Sequence, residues 1–237
     1  MHQPVTGPSS SDQKFPPAIN IIALAGFSAA LSTRALDPVL PHVAEDFSVS
    51  ITTAASIAAG YALIYALVQP AVGAAADLFG KARLMTLCLA LLGVACILGA
   101  LATSFSGLFA SRILAGIASG GVFPVALGLT ADLVAPAKRQ VAIGRTMAGS
   151  MTGNLLGASA SGIIGDLIGW RGVLVVLGAL ALAYQGITYT RREKIIDVGP
   201  IHATADERKT IPLPPIVGAI ALAAGISLLV VGGRQKN

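Results

Sequence analysis

Few residues in this chain carry chemistry, and most of those lie inside long apolar stretches. Arg34 and Asp37 stand three apart near the end of the first stretch. That spacing puts them on one helix face, where they pair. A carboxylate at membrane depth is a candidate proton carrier, because its ionisation responds to solvation and to neighbouring charge. A structural ion pair at the interface is the alternative. Arg112 stands in the fourth stretch with no charge close in sequence. Placing it at the bilayer centre would cost about 2.5–3.5 kcal/mol, so it is expected to face a cavity in the outer half, or else to snorkel outward.

A second group lies on the loop 73–83, which carries Gly73, Asp77, Gly80, Lys81 and Arg83. Gly80 permits a tight turn with positive φ. Asp77 closes a helix at its C-terminus, where a carboxylate opposes the helix dipole and needs a basic side chain or another helix N-terminus. An ordinary solvated turn is the alternative. Tyr61, Tyr65 and Gln69 recur at spacings of four, and Asn154 and Gln185 add polar groups in later stretches. These are expected to line a cavity and hydrogen-bond a solute, or to make interhelical contacts. Gly144, Gly149, Gly153, Gly157 and Gly162 give the fifth stretch a small-residue face. Such a face lets helices approach closely, and here it is expected to move.

The elements that must hold these groups follow from composition. Apolar residues make up 54% of the chain and charged residues only 11%, whereas a soluble domain carries about a quarter charged residues. The expected fold is an all-α polytopic membrane bundle. A helix needs about 20 apolar residues to cross a bilayer. Spans are expected at 18–36, 53–76, 84–102, 108–133, 141–168, 173–189 and 212–231. The apolar runs are continuous and do not alternate, which argues against membrane strands. The net charge of +5 resides in loops between the runs, a distribution of topology and not of nucleic-acid binding.

Those loops orient the bundle. Lys14, Lys81 with Arg83, Lys138 with Arg139 and Arg145, and the basic residues of 191–209 flank alternate ends. The positive-inside rule places them in the cytoplasm, with a cytoplasmic N-terminus in a plasma membrane, of bacterial inner-membrane type. Trp170 and Arg171 mark a tight outer turn, with Trp170 suited to the headgroup belt. The organisation expected is a cytoplasmic tail (1–17), a six-helix bundle (18–190), a cytoplasmic linker (191–211) and a seventh helix with a short tail (212–237). Basic Arg234 and Lys236 then fall outside, against the rule, which suggests a truncated chain.

No nucleophile–base pair, HExxH, CxxC or phosphate-loop pattern stands out, so neither an enzyme, a metal nor a cofactor is expected. Cys88 and Cys96, eight apart on one helix, are expected to be packing residues.

The loop 73–83 resembles the loop between helices two and three of the major facilitator superfamily, specifically its drug:proton antiporter-like members. It departs at Leu78, where that family commonly has arginine, and at Ala82. The run Arg112-Ile-Leu-Ala-Gly116 is similar to the family's arginine motif. The spacing of Gly144, Gly153, Gly157 and Gly162 is similar to its antiporter motif, with Ala158 and Ser161 departing from the usual proline and glycine. Asp37-Pro-Val-Leu-Pro41 and Gly169-Trp-Arg171 are also similar to runs in these transporters. The resemblance implies two six-helix halves rocking about a midplane cavity, of which this chain supplies the first half and one further helix. It implies that Asp77 latches the outward-open state, that Arg112 serves proton coupling or cavity organisation, and that Gly153 and Gly157 form a sliding face favouring export.

The function expected is proton-coupled efflux of small molecules, with lipid, a small-molecule solute and protons as partners and a missing C-terminal half. A half-size transporter working with a second copy of itself is one alternative. A non-transporting membrane scaffold is the other.

Overall fold

The computed structural model describes residues 15–185. The expected linker and seventh helix, 191–231, lie outside them. Among the described residues the elements are α1 (Pro17–Thr33), a 3₁₀ turn (Asp37–Val39), α2 (Leu40–Asp46), α3 (Ile51–Phe79), α4 (Lys81–Ala100), α5 (Phe105–Asp132), a second 3₁₀ turn (Pro136–Lys138) and α6 (Arg139–Gln185). No strand occurs among them. Five stretches are long and apolar enough to cross a membrane.

The fifth stretch is two helical arms. Helix α6 is interrupted at Gly169, whose φ of 76° and ψ of 168° are non-helical. That backbone is open to glycine and strained for other residues. The first arm, 139–168, runs parallel to α1: a Cβ on Gly149 or Gly157 would lie 2.8 Å from the Ala23 carbonyl oxygen or 2.7 Å from that of Leu31. The second arm, 170–185, runs antiparallel to α4, with Leu174 near Gly99 and Leu182 near Gly93. The two arms overlap the fifth and sixth spans expected from the sequence and meet at a one-residue break; 186–189 lie outside the described residues.

Local chemistry sets the other ends. Ser50 and Ser104 cap α3 and α5, accepting from the backbone N–H groups of Thr53 at 3.1 Å and Gly107 at 3.2 Å. Gly80, with φ 85°, closes α3 and opens α4. Pro70 and Pro124 sit inside α3 and α5, a placement spanning helices tolerate because neighbouring groups re-satisfy the freed carbonyls.

Two expectations are corrected. The first span ends at Thr33, three residues early. A 3₁₀ turn and α2 follow. Pro38 and Pro41 fall at the starts of these elements, where a missing N–H is harmless. Arg34 and Asp37 therefore lie past the helix end, not on its face. Trp170 is 3% exposed and is buried in the protein, not displayed to headgroups. Its indole N–H has an internal acceptor, Asp46, at 2.8 Å, so burial leaves no donor stranded.

Cys88 and Cys96 are both buried and unbridged. They belong to a core that joins α1, α2, α3, α4, α5 and the second arm of α6, with Ile164 of the first arm packed against it. The opposite surfaces of α3 and the first arm carry exposed Leu63, Leu67, Leu155 and Leu167. In water such a surface would aggregate; in lipid it is solvated.

Candidate transport site and end latches

Arg112 is the most deeply buried charge among the described residues, at 2% exposure. Two glycines seat its helix against α3. A Cβ on Gly116 would strike Ile64 and lie 2.9 Å from the Tyr61 carbonyl oxygen, and one on Gly120 would lie 2.7 Å from that of Tyr65. Arg112 Nη2 donates to the Ser32 carbonyl at 2.8 Å and Nη1 to Ser32 Oγ at 3.4 Å. The guanidinium lies over the Tyr61 ring, 4.5 Å from its centroid. Its Nε has no hydrogen-bond partner among the described residues. The ion pairs among the described residues are Arg34–Asp37, Lys81 with Asp77 and Asp132, and Arg171–Asp46. Arg112 belongs to none of them. Carbonyl, hydroxyl and ring faces hold this cation in place of a carboxylate.

Tyr61 links the cation to a cavity. Its hydroxyl is hydrogen-bonded to Ser119 Oγ, and its ring stacks on Tyr65 at 6.2 Å between centroids. Ser119 also donates to the Ala115 carbonyl at 2.8 Å. A serine hydroxyl has one proton. With that proton on Ala115, Tyr61 is the donor to Ser119.

The cavity has a volume of about 190 Å³. Gly26, Ala29 and Ala30 of α1 form one wall, with Tyr65 of α3 and Ser119 and Phe123 of α5 beside them. Met147, Ser150, Met151 and Asn154 of the first arm complete it. Among the described residues no charged side chain lines it.

The expected polar stripe divides. Tyr65 lines the cavity; Tyr61 is buried behind it, and Gln69 is not in the lining. Asn154 lines it. The side chain of Gln185 falls outside the described residues. The glycine face also divides. Gly149, Gly153 and Gly157 press on the backbone of α1, with Gly153 against the Phe27 carbonyl. Gly162 meets Pro38 at 3.6 Å, and Gly144 meets nothing within 4 Å.

Each end of the bundle carries a charged cluster. At one end Lys81 Nζ lies 2.8 Å from Asp132 Oδ2 and 3.7 Å from Asp77 Oδ1. Arg139 Nε donates to the Ala131 carbonyl at 3.0 Å, so Lys81 and Arg139 share this end. Gly73 sits one helical turn before Asp77, its Cβ position 4.0 Å from Pro124. Arg83 follows Lys81 in the first turn of α4. At the other end Asp46 Oδ2 accepts from Trp170 Nε1 and from Arg171 Nη1 at 2.6 Å, and Arg171 reaches the Ala102 carbonyl. Arg34 and Asp37 approach at 3.9 Å with exposed side chains.

Sequence reasoning missed Asp132, Ser32, Ser119 and Ser150. Asp132 had a signal: it is an acid at the end of a span that meets the basic loop. The serines had none, because small hydroxyl residues are common in spanning helices.

The comparisons agree with this geometry. Residues 22–233 match the model of the Major Facilitator Superfamily. A triacylglyceride transporter of Mycobacteroides abscessus is 31% identical, the match covering 89% of this chain and 41% of that protein. The inner membrane transport protein YnfM of Escherichia coli is 27% identical over 76% of this chain and 44% of its own length. The chain thus spans less than half the length of these relatives. Among solved structures, a bacterial homologue of the human lysosomal transporter Spinster, inward-facing and occupied, aligns with TM-score 0.67 at 21% identity over 71% of this chain and 42% of its own. The human organic anion transporter MFSD10 aligns with TM-score 0.59 at 21% identity over 72% of this chain and 47% of its own. The chain belongs to the Major Facilitator Superfamily, as a multi-pass membrane protein.

Proposed function

We propose that this chain forms one half of a secondary active carrier that exports small, largely apolar molecules in exchange for protons. The observation that carries the proposal is the cavity between α1, α3, α5 and the first arm, lined by no charged side chain among the described residues, with Arg112 and Tyr61 buried behind its Ser119 wall. Rocking of two halves about a midplane site is the physics of such carriers. The exposed apolar faces of α3 and the first arm offer a surface for lipid and for a second half. That half is supplied by a further segment or by a second copy of the chain.

Under this reading Lys81, held between Asp77 and Asp132, latches the basic end, and Gly73, Gly80 and Arg83 shape that latch. Arg112 organises the cavity and feels proton uptake, and Arg34 with Asp37 forms an outer proton-binding pair. The close contacts of Gly149, Gly153 and Gly157 with α1 form the face on which the first arm slides, flanked by Gly144 and Gly162. The basic end faces the cytoplasm, in a bacterial inner membrane. Relatives named as triacylglyceride transporters bring a lipid-like substrate into the proposal.

Proteoliposomes with an imposed pH gradient test it. Flux of a fluorescent acylglycerol is expected to follow the gradient and to be lost in Arg112→Ala. Absence of gradient-dependent flux, from the chain alone and from the chain co-expressed with the C-terminal half of the Mycobacteroides abscessus relative, overturns it.

A further inference from the structure

Hydroxyls in the spanning helices mostly bond back to their own helix. Ser111, Thr130, Thr152 and Ser161 each donate to a carbonyl three or four residues earlier. Ser150 does not. Its side chain is 5% exposed, its Oγ has no partner among the described residues, and it lines the cavity. A buried hydroxyl without a partner is unfavourable unless something else satisfies it.

The opposite wall is shaped around this hydroxyl. A Cβ on Gly26 would lie 2.6 Å from Ser150 Oγ, so only the missing side chain at Gly26 leaves it room. One helical turn further along the first arm, Asn154 also lines the cavity, and no hydrogen bond to it is present among the described residues. Its amide offers both a donor and an acceptor. Ser119 has committed its proton to Ala115 and presents only lone pairs. Around these groups the lining is Met147, Met151, Phe123 and small aliphatic residues. No formally charged side chain among the described residues lines the cavity, and Arg112 is set back from it behind Tyr61.

We propose that Ser150 and Asn154 form a subsite for the uncharged, hydroxyl-bearing end of an apolar molecule, and that this subsite discriminates against both anions and cations. The inference rests on the transport reading for its biological meaning, but not for its chemistry. An alcohol oxygen accepts from Ser150 or from the Asn154 amide, and its proton goes to the Asn154 carbonyl or to Ser119. A carboxylate would find donors without a counter-charge, and an ammonium would find few acceptors and no carboxylate. At about 190 Å³ the cavity is smaller than pockets for whole drug-sized ligands, which run from about 300 Å³. It therefore takes one end of the molecule and a few methylenes.

The test uses three probes with one tail: 1-octanol, octanoate and octylammonium. Each is titrated at pH 8 by ligand-observed NMR against the full chain in nanodiscs. The Ser150→Ala/Asn154→Ala double variant supplies the background from lipid partitioning. Octanol is expected to bind above that background at least tenfold more tightly than either ion. Each single variant should weaken it about threefold to tenfold. Gly26→Ala, which crowds Ser150 without removing it, should also weaken it. Far-ultraviolet circular dichroism checks that each variant stays folded, and loss of fold in the double variant moves the comparison to the single ones. Equal binding of a charged probe, or octanol binding unchanged in both single variants, overturns the proposal. So does the absence of binding above background by any probe. Gradient-driven flux of the unsubstituted chain is a separate readout, by which the transport reading stands or falls.

Discussion

The guanidinium of Arg112 lies over the ring of Tyr61, and the hydroxyl of that tyrosine is bonded to Ser119 on the cavity wall. A cation is thereby kept one side chain away from the space a solute would enter. The charge is present in the half-bundle but withheld from its cavity.

Arg112→Met separates charge from packing. Replacing the guanidinium leaves its acceptors at buried Ser32 without a donor, which costs about 1–3 kcal/mol. Thermal stability is expected to fall within that range, while gradient-dependent flux is lost. Cys88 and Cys96 are buried, so a thiol-reactive fluorogenic dye reads the unfolding directly. A stability loss several times larger would show that the cation holds the bundle together.

Glycines of the first arm should not behave alike. Gly157→Ala drives a methyl to 2.7 Å from the Leu31 carbonyl oxygen, and overpacking of this kind costs about 1–3 kcal/mol. Gly144→Ala meets nothing within 4 Å and should be neutral, or stabilising by up to about 1 kcal/mol through helix propensity. Paired thermal unfolding curves check the contrast.

The latch at the basic end is asymmetric. Lys81 sits 2.8 Å from Asp132 and 3.7 Å from Asp77, so Asp132→Asn is expected to impair flux more than Asp77→Asn. Neither should alter stability by more than about 1 kcal/mol, the ordinary range for exposed pairs. The exchange Lys81→Asp with Asp132→Lys should recover part of the lost flux. Additive losses in that double variant would exclude a direct pair.

At the opposite end the sole tryptophan reports on its own clamp. Asp46→Ala removes the acceptor of Trp170 Nε1 and the partner of Arg171. Acrylamide quenching of Trp170 should increase, and stability should fall by about 1–3 kcal/mol, as for hydrogen bonds to a charged group. Unchanged quenching would mean that packing against Phe47 alone buries the ring.

Sidedness is read by impermeant thiol labelling. In a background with Cys88 and Cys96 replaced by alanine, Ala137→Cys should label only from the cytoplasm and Ser48→Cys only from outside. The opposite pattern would invert the orientation given by the positive-inside rule.

Much of this protein could be read without coordinates. The deficit of charge and the length of the apolar runs dictated a spanning helical bundle, because lipid admits only self-satisfied backbones. The turn at Gly80 was legible because a glycine between two long apolar runs is where the chain can reverse. The spacing of Gly149, Gly153 and Gly157 announced a close helix contact, since every fourth residue returns to one face. The end of α1 was harder: the apolar pattern runs on past Thr33, and the proline-rich sequence that follows can start a short helix as readily as stop one.

Partners across helices were beyond the sequence. Nothing in the spacing of residues 32, 61 and 112 says that one serine carbonyl and one tyrosine ring meet the same guanidinium. Those distances depend on how three rods cross, which is set by side-chain volume over the whole interface. The stripe of Tyr61, Tyr65 and Gln69 shows the limit well. Periodicity placed the three on one face, but only the crossing of α3 with α5 put Tyr61 behind the wall and Tyr65 in it. Local sequence chooses helices, ends and faces because those depend on neighbours in the chain. Which face meets which is a property of the packed whole, and the cavity with its unpaired Ser150 exists only there.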